Sequence, residues 1–424
     1  MSTKRLLPRL LGALRANAAL FSWVAFGLSA CHEGQARSSA VSDLPPPPPP
    51  GVEATDASSV TIALRDAGSL DGSTSDTSEN AMLESADAAS DAALTWGGGP
   101  KEPLYIGRFV ETARGHGCGW SGCEVRLRFR GTGVTALMDT GWANRFRVRV
   151  DQNPKTDTIV KGKTGEETYV LAHDLTPGEH ELSLVRLTEA GFGEWHVKSL
   201  AVQGGEVLPR ARPSERRIEF IGDSITCGAG NTGPTAQCPL DQNTEDSTVS
   251  YAGLTADLLH ASYTNICYSG RGVYRDAKGF TSHPMTLLWT RTFVQRRDFP
   301  WKPEALVPDV VVVNLGTNDT ALSYERDRYL SAQATFYKTL RKAYPEAHVV
   351  YAVGARKTTA NVQQARADLR HFVSSLGQGS NASFLAWEAA SAEERDGCAF
   401  HPGLLSHERM AASLAAHLRT TLHW

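Results

Sequence analysis

The sequence contains no C-x-x-C pair and no H-E-x-x-H, so two common signatures of a zinc site are missing. It contains no G-x-S-x-G, which argues against the nucleophile turn of the α/β-hydrolase fold. It lacks an excess of either charge. Its 43 Lys and Arg against 46 Asp and Glu give a net −3 and a pI near 6.5, without the basic field of a nucleic-acid binder. Beyond the N-terminal segment no run is long and apolar enough to cross a bilayer. No metal, cofactor or nucleic-acid partner is therefore expected. What is present is 41% apolar and 21% charged residues over 424 positions, the balance of a globular enzyme with two or three domains.

The N-terminus reads as a targeting segment. Lys4, Arg5, Arg9 and Arg15 form a basic region, and the apolar run Ala18–Leu28 is too short for a permanent membrane helix. It ends in Leu28-Ser29-Ala30-Cys31, which resembles a bacterial lipobox. A lipoprotein signal over residues 1–30 is expected, with Cys31 as the acylated residue and anchorage in the cell envelope.

Residues 31–100 read as a disordered tether. Pro45–Pro50 favours polyproline II, and nine acidic residues from Glu53 to Asp91 face only Arg65. Such a segment buries too little apolar surface to fold. The remaining six cysteines suit disulfides in an exported chain. By proximity Cys118 with Cys123 and Cys227 with Cys238 are plausible partners, leaving Cys267 and Cys398.

Residues 101–208 alternate strictly in places. EVRLRFR at Glu124–Arg130 and RFRVRVD at Arg145–Asp151 each put every second side chain on one face. Thr168–Leu171, His180–Leu187 and His196–Val202 are further strands, so an antiparallel sandwich is expected. Its role is open between sugar binding and structural support.

Residues 212–424 alternate strand and helix, which predicts a parallel three-layer α/β domain. The strands are Ile218–Ile221, Tyr263–Tyr268, Asp309–Leu315, His348–Val353 and Ser383–Trp387. The helices are Ser250–His260, Tyr324–Ala343, Thr359–Leu376 and His407–Leu422. A site in such a fold belongs at the C-terminal strand ends.

Four short constellations fall there, or after the last strand: Gly222-Asp223-Ser224, Asn265–Gly270, Gly316-Thr317-Asn318-Asp319, and His401-Pro402 before the final helix. Each alone is ordinary turn or cap chemistry; together they offer a hydroxyl nucleophile, a base with a suitable pKa and an amide donor. Gly228–Gly233 also matches G-x-G-x-x-G, but it starts seven residues after the strand and Pro234 follows it, so no helix opens to receive a pyrophosphate.

In these blocks the chain resembles the SGNH (GDSL-like) hydrolase superfamily. GDSITCGAGN, YSGRGVYR and NLGTND look more narrowly like carbohydrate esterase family 2, over about Tyr105 to Leu418. The resemblance implies a jelly-roll domain followed by an SGNH (flavodoxin-like) catalytic domain, and deacetylation of polysaccharide through an acetyl-serine. It implies Ser224 as nucleophile, His401 as base, and an oxyanion hole from the Ser224 and Gly270 backbone N–H groups and the Asn318 amide. Asp223 is assigned to the turn.

Many SGNH enzymes place an Asp three residues before the His. Here that residue is Cys398, and the nearest upstream acid is Asp396. Either Asp396 reaches the imidazole, or a carbonyl orients a Ser–His dyad, which the resemblance favours. Tyr274, Trp289 and Trp301 are candidate sugar contacts, since flat rings stack on sugar faces. The expected partner is an acetylated polysaccharide or oligosaccharide, and the expected state a monomer. The rival readings are an esterase or acetyltransferase for other acylated cell-surface glycans, and a sugar-binding lipoprotein without activity.

Overall fold

The computed structural model describes residues 101–424, apart from 142, 211, 355–358 and 388–393. The segments expected to be a signal and a tether, with Cys31, lie outside the described residues.

The N-terminal half is built from eleven strands: β1 (Leu104–Ile106), β2 (Phe109–Thr112), β3 (Gly115–Cys118), β4 (Glu124–Gly131), β5 (Gly133–Thr140), β6 (Arg145–Val150), β7 (Thr158–Lys161), β8 (Gly165–Ala172), β9 (Gly178–Arg186), β10 (Trp195–Gln203) and β11 (Glu206–Val207). They form two antiparallel sheets, ordered β1-β4-β9-β6-β7, with β11 beside β4, and β2-β3-β10-β5-β8. The alternation read from EVRLRFR is realised: Val125, Leu127 and Phe129 are fully buried between the sheets with Phe146, Leu182 and Trp195. This is the expected all-β sandwich.

The C-terminal half carries five parallel strands, β12 (Arg217–Gly222), β13 (Ser262–Cys267), β14 (Val310–Asn314), β15 (His348–Ala352) and β16 (Ala382–Phe384), in the order β13-β12-β14-β15-β16. Their helices are α1 (Ser224–Cys227), α2 (Tyr251–Leu259), α3 (Met285–Leu288), α4 (Arg326–Ala343), α5 (Ala360–Ser375) and α6 (Leu404–Leu422). Strands buried on both faces read as apolar runs, and Val310–Val313 shows why. Val310 and Val312 pack with Phe220, Met410, Leu414 and Leu418 on one face, while Val311 and Val313 pack with Tyr329, Phe336 and Leu340 on the other. The order of strand addition reverses at β12, with β13 on one side and β14 on the other, so the crevice at the strand ends opens beside Gly222.

The two halves share a polar, interior seam. Arg108 of the sandwich pairs with Glu219 of β12 at 3.0 Å, both wholly buried. Ser121 accepts from the Asn265 amide at 3.2 Å, and Arg145 donates to the carbonyls of Gln242 and Glu245 at 2.8 and 3.2 Å.

The disulfides correct the expected pairing in part. Cys118 is bonded to Cys123, but Cys227 is bonded to Cys267 and Cys238 to Cys398. The reason is spatial. Cys227 closes α1 directly over the end of the neighbouring strand β13, and the loop carrying Cys398 folds back onto the segment that follows α1.

Candidate active site

The last residue of β12, Gly222, has no room for a side chain: a Cβ there would overlap Thr226 Oγ1 and press on the Asn314 carbonyl. Asp223 then takes an extended backbone and caps α1, its carboxylate accepting from the Ile225 N–H at 3.0 Å. Ser224 is thereby the first residue of a one-turn helix at the open end of the sheet. Asp223 is buried, and burial pushes its carboxyl up to about 7, with the charges of Asp319 and Glu189 adding to it.

His401 meets this serine from the other side. Its Nε2 lies 2.8 Å from Ser224 Oγ, and its Nδ1 lies 3.2 Å from the Ala399 carbonyl oxygen. The loop that presents it is a tight reversal: Gly397 N–H donates to the His401 carbonyl at 2.8 Å, and Asp396 bridges to Pro402. Ala399 and Phe400 have φ of 49° and 60°, a left-handed conformation that side-chain-bearing residues rarely adopt. That strain turns the Ala399 carbonyl toward the imidazole. Asp396 acts on the ring by charge, raising its pKa, as do the Ala399 and Cys398 carbonyls; burial outweighs them, and the net shift is downward. The shift favours a neutral imidazole, with a carbonyl at its far nitrogen.

This loop is held in place by the segment after the nucleophile. Cys398 is bonded to Cys238, its N–H donates to the Gly230 carbonyl at 2.9 Å, and Ala399 N–H donates to the Cys238 carbonyl at 2.9 Å. A Cβ on Gly233 would overlap the Cys398 sulfur. The glycines of the G-x-G-x-x-G match thus let the histidine loop approach closely.

The other two blocks face the same crevice. Tyr268–Arg271 is a turn closed by Arg271 N–H to the Tyr268 carbonyl at 3.3 Å, with Gly270 at φ 77° and open space where a Cβ would stand. Asn318 Nδ2 donates to the Arg271 carbonyl at 3.0 Å and to Asp223 Oδ2 at 3.2 Å. Asp319 turns the opposite way. Its buried carboxylate accepts from the N–H groups of Val273 and Tyr274 at 2.9 and 3.0 Å, and burial raises its carboxyl to about 6. It is a clamp on the loop after Gly270.

Serine, histidine, the glycine turn and the asparagine are therefore assembled at one strand end, in an arrangement suited to acyl transfer. The chain is also similar to known proteins. Residues 105–211 match the family described as Carbohydrate esterase 2 N-terminal, and residues 220–409 match the GDSL-like Lipase/Acylhydrolase family. A family two carbohydrate esterase from Clostridium thermocellum, solved in complex with cellohexaose, superposes with a TM-score of 0.73 at 30% identity, over 76% of this chain and 100% of that one. The chain belongs to carbohydrate esterase family 2. The Cellulase/esterase CelE of Acetivibrio thermocellus is 33% identical over 331 residues, which are 76% of this chain but only 40% of that protein's length. An acetylxylan esterase / glucomannan deacetylase of Cellvibrio japonicus is 27% identical over 72% of this chain and 85% of its own.

Two of the three aromatic residues expected to meet sugar in this family 2 member are engaged by the protein instead. Trp289 is 3% exposed and donates its indole N–H to Glu219 at 2.6 Å. Trp301 lies over the Arg108 guanidinium at 4.8 Å, its N–H 3.4 Å from the Tyr344 hydroxyl. Both stack on the buried Arg108, which corrects Trp289 to a packing residue and leaves Trp301 half-buried against the same guanidinium. Tyr274 lines a separate surface hollow of about 420 Å³ with Val273, Leu287 and Phe336. Sequence reasoning passes over Phe400, which stands directly before His401 and is 60% exposed.

Proposed function

We propose that this protein is a serine esterase that removes O-acetyl groups from polysaccharide through an acetyl-serine intermediate. The observation that carries the reading is the 2.8 Å contact between Ser224 Oγ and a neutral His401 Nε2 at the crevice. Ser224 Oγ attacks the acetyl carbonyl while His401 takes its proton. The oxyanion is met by the backbone N–H groups of Ser224 and Gly270 and by the Asn318 amide. The imidazolium returns the proton to the departing sugar oxygen, leaving acetyl on Ser224. Water, deprotonated by His401, then releases acetate and restores the serine.

The names of the family members, acetylxylan esterase / glucomannan deacetylase among them, support a plant-type acetylated polysaccharide as substrate. The exposed ring of Phe400 beside His401 offers an apolar face on which a sugar can stack. The sequence LSAC at Leu28–Cys31 supports an exported form anchored through Cys31, with residues 31–100 as a tether.

The test is acetate release from acetylated xylan and glucomannan by the wild type and by Ser224→Ala. Release by the wild type alone supports the reading. No release by a folded wild type from either polymer, or from an aryl acetate, overturns it.

A further inference from the structure

The turn that carries Gly270 is held from two sides. Asn318 holds it through the Arg271 carbonyl. On the other side stands Glu189, which lies in the connection between β9 and β10 and belongs to the sandwich, not to the parallel-sheet half. Its Oε2 accepts from the Ser269 N–H at 2.6 Å.

Glu189 is itself fixed. Its backbone N–H donates to Glu245 Oε1 at 2.6 Å, and its carbonyl accepts from the fully buried Arg186 at 2.7 Å. Arg186 Nη2 also donates to the Gly193 carbonyl at 2.6 Å, so the β9–β10 connection is cinched around one guanidinium. Glu189 is 8% exposed and Glu245 2% exposed. Burial raises both carboxyls, and the charge of Glu189 pushes Glu245 further. A buried carboxylate needs donors aimed at it. Here one of them is the Ser269 N–H, which belongs to the Tyr268–Ser269 peptide, one before the peptide that carries the Gly270 N–H.

We propose that Glu189 is a positioning residue for the oxyanion hole, contributed by the sandwich half, and that it acts by gripping the Ser269 N–H so that the Gly270 N–H points into the crevice. This rests on the esterase reading, in which Gly270 donates to the oxyanion. The Glu189 contact fixes the first peptide of the Tyr268–Arg271 turn, and with it the direction from which the next peptide presents the Gly270 N–H. The sandwich is accordingly part of the catalytic assembly and not merely an attached module.

The experiment compares wild type, Ser224→Ala, Glu189→Gln and Glu189→Met in hydrolysis of 4-nitrophenyl acetate. Gln keeps an acceptor oxygen at Ser269 N–H; Met fills the space without one. The expected result is a loss of about 10- to 100-fold in kcat for Glu189→Met with KM within about twofold, since a misaimed donor of this kind costs up to about 100-fold. Glu189→Gln should stay within about fivefold of wild type.

An active wild type with an unchanged kcat in folded Glu189→Met overturns this inference alone, as does a Gln variant that loses as much as Met. A wild type without Ser224-dependent turnover overturns the esterase reading, and this inference with it. Should Glu189→Met fail to fold, the Ser269 amide in ¹⁵N-labelled wild type decides. A downfield, slowly exchanging amide that shifts in Glu189→Gln supports the contact; a freely exchanging amide overturns it.

Discussion

The Asn318 side-chain amide donates to Asp223 Oδ2 at 3.2 Å and to the Arg271 carbonyl at 3.0 Å, so both of its hydrogens are engaged in the resting enzyme. Asp223 in turn caps the helix that begins with Ser224. Nucleophile and amide donor are thus joined through one buried carboxyl. In the proposed mechanism the amide exchanges the longer of these bonds, to Asp223, for one to the developing oxyanion.

Asn318→Ala removes that donor and leaves the Asp223 carboxyl with one partner fewer. The expected result is a kcat lower by about 10²- to 10³-fold with little change in KM. Steady-state kinetics on an aryl acetate measures both. An equal loss expressed in KM alone would place Asn318 in substrate binding instead.

The orientation of His401 by the Ala399 carbonyl at 3.2 Å predicts a mild effect of Asp396→Ala. Its maximal kcat should fall by less than about tenfold, far from the ~10⁴-fold loss that follows replacement of a triad acid. The pH profile supplies a second readout. Burial lowers the His401 pKa, so the acid limb of kcat/KM should have its midpoint below 6.5. Because the Asp396 charge raises that pKa, the variant's limb should move to still lower pH.

Cys238–Cys398 spans 160 residues of sequence and anchors the loop that carries His401. Cys398→Ser should cost about 2–5 kcal/mol of stability and lower kcat as well, because the base loses its anchor. Thermal unfolding and kinetics, each with and without reductant, measure the two effects. A variant that melts earlier but turns over like wild type would show the bridge to be structural only.

His407 supplies an acid-sensitive contact. Its Nδ1 accepts from the Tyr251 N–H at 3.0 Å, and burial pushes its pKa down to about 3. Folded protein keeps this ring neutral while the unfolded chain, near the ordinary 6.5, binds a proton. Its stabilisation is therefore present above about 6.5 and is lost as pH falls toward about 3. His407→Asn should flatten the acid side of a Tm-against-pH curve relative to wild type; parallel curves would contradict this.

Much of this architecture is written in local pattern. EVRLRFR and RFRVRVD become half-buried strands, and Met410, Leu414 and Leu418 form the fully buried stripe of α6. Strand β5, GVTALMDT, was not legible because Thr135, Ala136 and Met138 give a weak alternation that only its neighbours β10 and β8 resolve. The four blocks of the site were legible because each sits at the end of an element. The carbonyl that faces His401, the Cys238–Cys398 link and Glu189 were not. They depend on where distant segments meet, and 160 residues of separation or a boundary between two sheets leaves no mark on local periodicity. Trp289 misled for the same reason: its ring suggests a sugar platform, but the buried Arg108 it stacks on lies far away in sequence.

The measurement that bears most directly on the account is acid-quench trapping of the enzyme during turnover of an aryl acetate, followed by peptide mass mapping of wild type and Ser224→Ala. The account predicts one acetyl group on the peptide containing Ser224 in the wild type and none on the corresponding peptide of the variant. Turnover without acetyl on that peptide, or persisting in Ser224→Ala, would contradict it.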